Sequence, residues 1–295
     1  MILFQGVLPA ITTPFLADGG VDHATLEAHA RWMLGHGCTG LVPCGSLGEG
    51  ATLSFEEKVA VIATCVRAAE GRPVIPGIAA LSTAEAVRLA RAAQAAGAQG
   101  LMVLPPYVYV GDWAETRAHM AAVFDATPLP CILYNNPVAY KVDFLPEQVA
   151  ELAQRHPNLR AMKESSTDAR RIAAIQALLG DRITLGVGVD DCLVEGVVMG
   201  AEFWVAGLVN AFPRESVELF DRARAGELEA AARLYYWFLP LLRLDTVPKF
   251  VQLIKLVQQE MGWGHERVRA PRAVLAGAER EAALAVLKQS LAARP

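Results

Sequence analysis

The chain is expected to fold as a (β/α)8 TIM barrel with a C-terminal helical extension. Three observations predict this fold: short β-rich apolar runs alternate with Ala-rich stretches of helical period, eight such runs precede residue 212, and the segments after 213 are helical with no strand between them. A division at 212 follows, with the barrel over 1–212 and a helical appendage over 213–295, joined without a low-complexity linker.

The strands are expected at 7–11, 40–43, 74–76, 100–103, 131–134, 159–162, 183–185 and 203–205. Helices are expected between them, among them 24–34, Phe55–Ala69, Thr83–Ala95 and 146–154. Ser54 stands before Phe55-Glu56-Glu57, and Ser82 precedes Glu85 by three residues, the spacing of a capping box. Gly71, Gly97 and Gly180 follow helix ends, where a left-handed residue is wanted, and Pro146 suits a first helical turn. The extension reads as helices over 214–225, 227–239, 247–259 and 279–291. A doubly wound sheet is the rival architecture. It calls for Gly-x-Gly-x-x-Gly after the first strand, where Thr12-Thr13-Pro14-Phe15 stands instead, and the glycine pair Gly186/Gly188 does not restore it.

With 295 residues, of which 53% are hydrophobic, the chain can bury one large core. A net charge of −4 offers nothing to nucleic acid or an anionic membrane, so a small molecule is the expected partner. The N-terminus lacks the marks of a secretory signal, and no apolar run reaches the roughly 20 residues that span a bilayer. Five scattered cysteines (Cys38, Cys44, Cys65, Cys131, Cys192) without Cys-x-x-Cys spacing indicate a reduced, cytoplasmic protein and small core residues rather than a zinc site. His23, His29 and His36 fall on one helix away from the functional face, so neither metal nor cofactor is expected.

In a barrel of this kind, reacting groups sit where strands end and the following loops begin. Those ends carry Gly45-Ser46-Leu47-Gly48-Glu49, Tyr107, Tyr134, Lys163-Glu164, Asp190-Asp191 and Val205-Ala206-Gly207. A lysine ending a barrel strand would lie among apolar atoms, where the ammonium is disfavoured and the neutral amine can attack a ketone. The protonated imine so formed withdraws electrons from the neighbouring carbon, so that a bond beside it can break. The bland alternative is a surface lysine paired with Glu164. Tyr107, Tyr134 and Ser46 could pass protons between amine, substrate and water, or the tyrosines could simply pack. Gly45 and Gly48 would let the turn approach a carboxylate with free amides.

These residues together identify a family. The Gly-Ser-Leu-Gly-Glu turn, Tyr134-Asn135-x-Pro137 and Met162-Lys163-Glu164-Ser165 resemble, in order and spacing, the dihydrodipicolinate synthase/N-acetylneuraminate lyase family along nearly the whole chain. The resemblance implies that Lys163 forms an imine with a small 2-oxo acid and that Tyr134 shuttles its proton. It further implies that Tyr107 reaches into a neighbouring subunit's site to complete a proton relay through Ser46, within a homotetramer built as a dimer of dimers. Gly45, Leu47, Gly48, Glu49, Ala139, Asp190 and Val205 would bind substrate. Two departures bear on which substrate. Leu47 stands where synthases carry a second hydroxyl, and Ala139 replaces an arginine that grips the aldehyde's carboxylate. Pro106 replaces an aromatic of the feedback site, so inhibition by lysine is not expected. The segments 44–49, 139–143 and 204–209 look most like the branch that deaminates 1-pyrroline-4-hydroxy-2-carboxylate. Dihydrodipicolinate synthesis, a 2-keto-3-deoxy sugar acid aldolase and a non-catalytic ligand-binding barrel are the alternatives.

Overall fold

The computed structural model describes residues 4–295. Among the described residues there are seven parallel strands: β1 Gly6–Pro9, β2 Gly77–Ile78, β3 Leu101–Val103, β4 Cys131–Asn135, β5 Leu159–Glu164, β6 Thr184–Val187 and β7 Phe203–Ala206. They lie in the order β1-β7-β6-β5-β4-β3-β2. The strand expected at 40–43 is a single parallel bridge, Leu41 to Val74, rather than a ladder, and its partner strand begins at Gly77 instead of 74. The reason is proline: Pro9, Pro43, Pro73 and Pro76 line this seam and donate no N–H. Their carbonyls still accept. Val42 N bonds Pro9 O at 2.8 Å, Leu41 N bonds Pro73 O at 2.8 Å and Gly77 N bonds Pro43 O at 2.8 Å. The extended segment 39–43 therefore closes the ring between β1 and β2, completing a (β/α)8 barrel.

Twelve α-helices among the described residues surround and extend it: α1 His23–Gly35, α2 Phe55–Ala69, α3 Thr83–Ala95, α4 Trp113–Phe124, α5 Pro137–Tyr140, α6 Pro146–Arg155, α7 Arg170–Leu179, α8 Leu193–Val198, α9 Pro213–Arg224, α10 Leu228–Leu242, α11 Phe250–Glu260 and α12 Gly277–Ala292. α2 starts on a full capping box, Ser54 accepting from Glu57 N at 3.1 Å while Glu57 accepts from Ser54 N at 2.8 Å. At α3 only the first half forms, Ser82 accepting from Glu85 N at 3.2 Å. α9 packs on β1 and α8, and α10 packs on α9 and α12. α10 runs on through Pro240, past the end expected at 239. The carbonyl that Pro240 leaves without its helical donor belongs to Tyr236, an exposed residue, so water can satisfy it. No helix among the described residues is long and apolar enough to cross a membrane.

Two layers of core follow from strand alternation. One cluster fills the barrel interior with Leu8, Val42, Ile75, Met102, Ile132, Tyr134, Ala161, Phe203 and Val205, drawn from neighbouring strands. The larger cluster, with Leu133 and Met162, lies between strands and helices. Successive strand residues face opposite sides. On β5, Lys163 shares the inward parity of Ala161, and Glu164 shares the outward parity of Met162. On β4, Tyr134 faces in and Asn135 faces out.

Candidate active site

Register places the inward pair side by side: Tyr134 on β4 is level with Lys163 on β5, and Lys163 is level with Gly186 on β6. Lys163 is 6% exposed, and its Nζ lies 4.0 Å from the centre of the Tyr134 ring. Gly188 beyond β6 leaves the space that the Lys163 Cε and the Ser165 hydroxyl occupy, which a Cβ there would fill. The bland alternative, a surface Lys163–Glu164 pair, is absent. Glu164 points out of the barrel, where its carboxylate accepts from Asn135 Nδ2 at 3.1 Å and Ser166 N at 2.5 Å. Burial raises the Glu164 pKa, with those hydrogen bonds opposing. Asn135 in turn donates to Asp143, which Arg171 holds at 2.6 Å.

The residues after β4 build the next layer. Asn136 caps the one-turn helix α5 by accepting from Ala139 N at 3.0 Å, Pro137 supplies its first turn, and Lys141 ends it at φ 63°. The Asn136 amide also donates to the Tyr134 hydroxyl at 3.0 Å. This short helix carries Tyr140 over the barrel mouth. Its ring meets Tyr134 edge-on at 5.7 Å and Tyr107 at 6.1 Å, and its hydroxyl bonds Ser46 Oγ. Burial and the neighbouring Tyr134 push the Tyr140 hydroxyl strongly up, so it stays protonated and can donate. A cavity of about 340 Å³ opens beside it, lined by Gly45, Ser46, Tyr107, Tyr140, Lys58 and Arg88. The packed rings of Tyr107, Tyr140 and Tyr134 thus lead from the open cavity to the buried Lys163 amine, with hydroxyl hydrogen bonds at Tyr140–Ser46 and Asn136–Tyr134.

The turn after the second extended segment is held from the C-terminal side. Gly48 is required, since a Cβ there would lie 2.9 Å from Ile11 O, whereas Gly45 meets only Met102 Cε at 3.5 Å. The amides of Ser46 and Leu47 bond no other group among the described residues, while the Leu47 side chain is buried in the outer core. Glu49, fully buried at φ 54°, faces away from the cavity. Lys255 Nζ on α11 lies 2.8 Å from its carboxylate, Arg269 N donates to it at 3.0 Å, and Arg272 is 3.8 Å away. Lys255 also donates to Thr13 O at 2.9 Å, and Gln258 accepts from Thr12 Oγ1 at 2.7 Å. One side of α11 therefore clamps the turn that presents Ser46.

Of the other expected residues, Ala139 is exposed on α5, Val205 is buried inside the barrel, and Asp190 is buried just beyond β6. The Asp190 carboxylate accepts from Trp204 Nε1 at 3.0 Å, Gly207 N at 3.1 Å and Leu208 N at 2.8 Å. Lys163, Tyr134, Tyr107 and Ser46 are brought together, while Glu49 and Leu47 serve the frame of the turn. Tyr140, Lys255 and Asp245 were not among the expected residues. An aromatic next to the position of the gripping arginine, and a lysine inside the apolar run Val251–Val257, were the available signals for the first two.

Comparison with known proteins agrees with this construction. The sequence profile of the Dihydrodipicolinate synthetase family matches residues 3–290. A 4-hydroxy-tetrahydrodipicolinate synthase of Pelobacter propionicus is 32% identical over 287 residues, covering 97% of this chain and 98% of that protein. Another, of Methanoculleus marisnigri, is 37% identical over 253 residues, covering 83% of this chain and 86% of the relative. The crystal structure of dihydrodipicolinate synthase from Aquifex aeolicus superposes with a TM-score of 0.93 at 29% identity, covering 97% of this chain and 98% of that one. The chain belongs to the dihydrodipicolinate synthetase family and is one of its Schiff-base-forming lyases.

Proposed function

We propose that the protein deaminates 1-pyrroline-4-hydroxy-2-carboxylate to the semialdehyde of 2-oxoglutarate, with Lys163 as imine former. The observation that carries this reading is at α5. Where a synthase would hold its aldehyde's carboxylate with an arginine, the chain has the exposed Ala139, and Tyr140 next to it closes over the Tyr134–Lys163 pair. A compact five-carbon substrate needs no second carboxylate clamp.

The Lys163 amine attacks C2 of the pyrroline, the ring C2–N bond breaks, and the ring nitrogen leaves as an amine on C5. Loss of a C3 proton gives an enamine, which expels the C4 hydroxyl as water once protonated. The resulting conjugated iminium shifts a proton from C5 to C3, and a second protonation at C4 produces an iminium at C5. Water then releases ammonia from C5 and the 2-oxo acid from Lys163, so one water is consumed overall. Tyr134, Tyr140 and Tyr107 carry protons along this path through Ser46. The free amides of Ser46 and Leu47, flanked by Gly45 and Gly48, hold the C1 carboxylate. Asp190 and Val205 shape the opposite wall, and Glu49 acts on substrate only by fixing the turn.

The barrel over 1–212 carries the imine and tyrosine chemistry, and 213–295 packs against it as a helical extension. We further propose a homotetramer built as a dimer of dimers. Val108, at φ 74°, Tyr109 and Val110 expose an apolar loop next to Tyr107 that a second copy would cover, letting the neighbour's loop complete the site. Its reduced cysteines suit the cytoplasm. A coupled assay for 2-oxoglutarate semialdehyde tests the activity. No product from the pyrroline, together with turnover of pyruvate plus aspartate semialdehyde, would reverse the assignment in favour of synthesis.

A further inference from the structure

We propose that Asp245, whose carboxyl sits beside Gly207 at the barrel mouth, is the general acid that gives its proton to the hydroxyl leaving C4. The step rests on the deaminase reading above and names a group outside the tyrosine path.

The strand order β7-β6-β5 sets three strand ends next to one another at the barrel mouth. Lys163 stands near the end of the third, Asp190 follows the second, and Gly207 follows the first. Asp245 closes a short 3-10 turn, Arg243–Asp245, between α10 and α11, and that turn packs against the one carrying Asp190. Its carboxyl occupies the space beside Gly207 where any other residue's Cβ would lie, with Oδ2 at 2.6 Å from that position. The residue is half-buried, but Oδ1 is sealed from solvent and has no hydrogen-bond partner among the described residues. Of the four buried orphan side-chain atoms among the described residues, two, Asp245 Oδ1 and Ser165 Oγ, belong to this neighbourhood. An unpartnered buried oxygen costs stability, and a substrate group is a partner it could meet.

Asp190 and Asp245 flank the same glycine, and two adjacent buried carboxyls do not both ionise. Asp190 accepts three N–H donors and is the anion; Asp245 accepts none at Oδ1 and keeps the proton. Burial and the Asp190 charge both push the Asp245 pKa up, Lys163 opposes them, and Asp191 adds to the rise. The guanidinium on the same turn, Arg243, lies 3.5 Å from Asp191, and Tyr235 donates to the Asp191 carbonyl, so neither pairs with Asp245. In the reaction the C4–O bond breaks with its electron pair on oxygen and the Asp245 proton completes a water; the carboxylate so formed takes the proton lost from C5, while the tyrosine path returns to C3 the proton it removed there. The residue returns to its starting state within each turnover.

The test uses full-length wild type and Asp245→Asn, which keeps shape but cannot give up a proton. Infrared difference spectra at pH 7 should show a carboxylic-acid carbonyl band in wild type that the variant lacks. Borohydride trapping of pyruvate on Lys163, and deuterium exchange into the pyruvate methyl group, should persist in the variant, since neither step involves C4. Semialdehyde formation from the pyrroline should fall by about 10²-fold, the scale for removing a general acid. A missing infrared band, or a variant that turns over the pyrroline at the wild-type rate, overturns the assignment of Asp245 alone. A wild type that traps pyruvate yet forms no semialdehyde overturns the deaminase reading and this step with it.

Discussion

Replacing Lys255 with methionine should loosen the turn that presents Ser46 while leaving the barrel folded. Lys255 is 1% exposed; its ammonium spans Glu49, at 2.8 Å, and Thr13 O, at 2.9 Å, tying α11 to two loops at once. Burial lowers its pKa and Glu49 opposes that fall, so the charge is retained because its partner is present. Methionine fills nearly the same volume, so packing is kept and the loss is electrostatic. Removing one member of a buried ion pair costs about 3–5 kcal/mol. Here Glu49 keeps the Arg269 amide at 3.0 Å and Arg272 at 3.8 Å, so the low end, about 3 kcal/mol, is expected. Urea denaturation followed by circular dichroism, at fixed protein concentration, measures that loss. Turnover should fall as well, because Ser46 is three residues from Glu49. A variant within about 1 kcal/mol of wild type would refute the view that α11 braces the site through this pair.

Acid should weaken the fold through His29. Its Nε2 lies 2.8 Å from Asn210 O, its Nδ1 has no partner among the described residues, and burial lowers its pKa to about 4 from 6.5. Below pH 6.5 the unfolded chain binds a proton that the native one refuses, so this contribution is complete above 6.5 and fades as pH falls towards 4. Between pH 7 and pH 5 the loss should be about 2 kcal/mol, and His29→Gln should remove that part of the slope in urea midpoints. An unaltered slope in the variant would place the acid sensitivity elsewhere. Tyr140→Phe removes the hydroxyl bonded to Ser46 and should slow steady-state turnover by about 10-fold or more, with about 1 kcal/mol or less of stability lost. Tyr134→Phe, one contact nearer the amine, should cost about 10²-fold. If Tyr140→Phe is silent and Tyr134→Phe is not, the path bypasses α5.

The legible parts of the fold were those set by local chemistry. α2 and α3 fall at Phe55–Ala69 and Thr83–Ala95, as expected, because a capping serine fixes each start and a periodic apolar face fixes the rest. The weak second strand was not legible as such. Pro43, Pro73 and Pro76 break its ladder on the donor side, and only the three-dimensional partners reveal how their carbonyls still close the ring. In the site, alternation along β4 and β5 was enough to turn Tyr134 and Lys163 inward together. Glu49 read as part of a ligand-binding turn because its partner lies 206 residues away in sequence. Asp245 was invisible for the same reason. It belongs to a linker between helices of the extension, far in sequence from any strand end, and fits against the end of β7 only because Gly207 has no side chain.

The central claim is that the Lys163 amine is the nucleophile. Incubation with pyruvate and borohydride, followed by peptide mass mapping, tests it directly. The account predicts a substrate-dependent mass gain on the peptide holding Lys163, absent from Lys163→Ala, which should fold yet form no product. An adduct on another lysine, or turnover by Lys163→Ala, would contradict it.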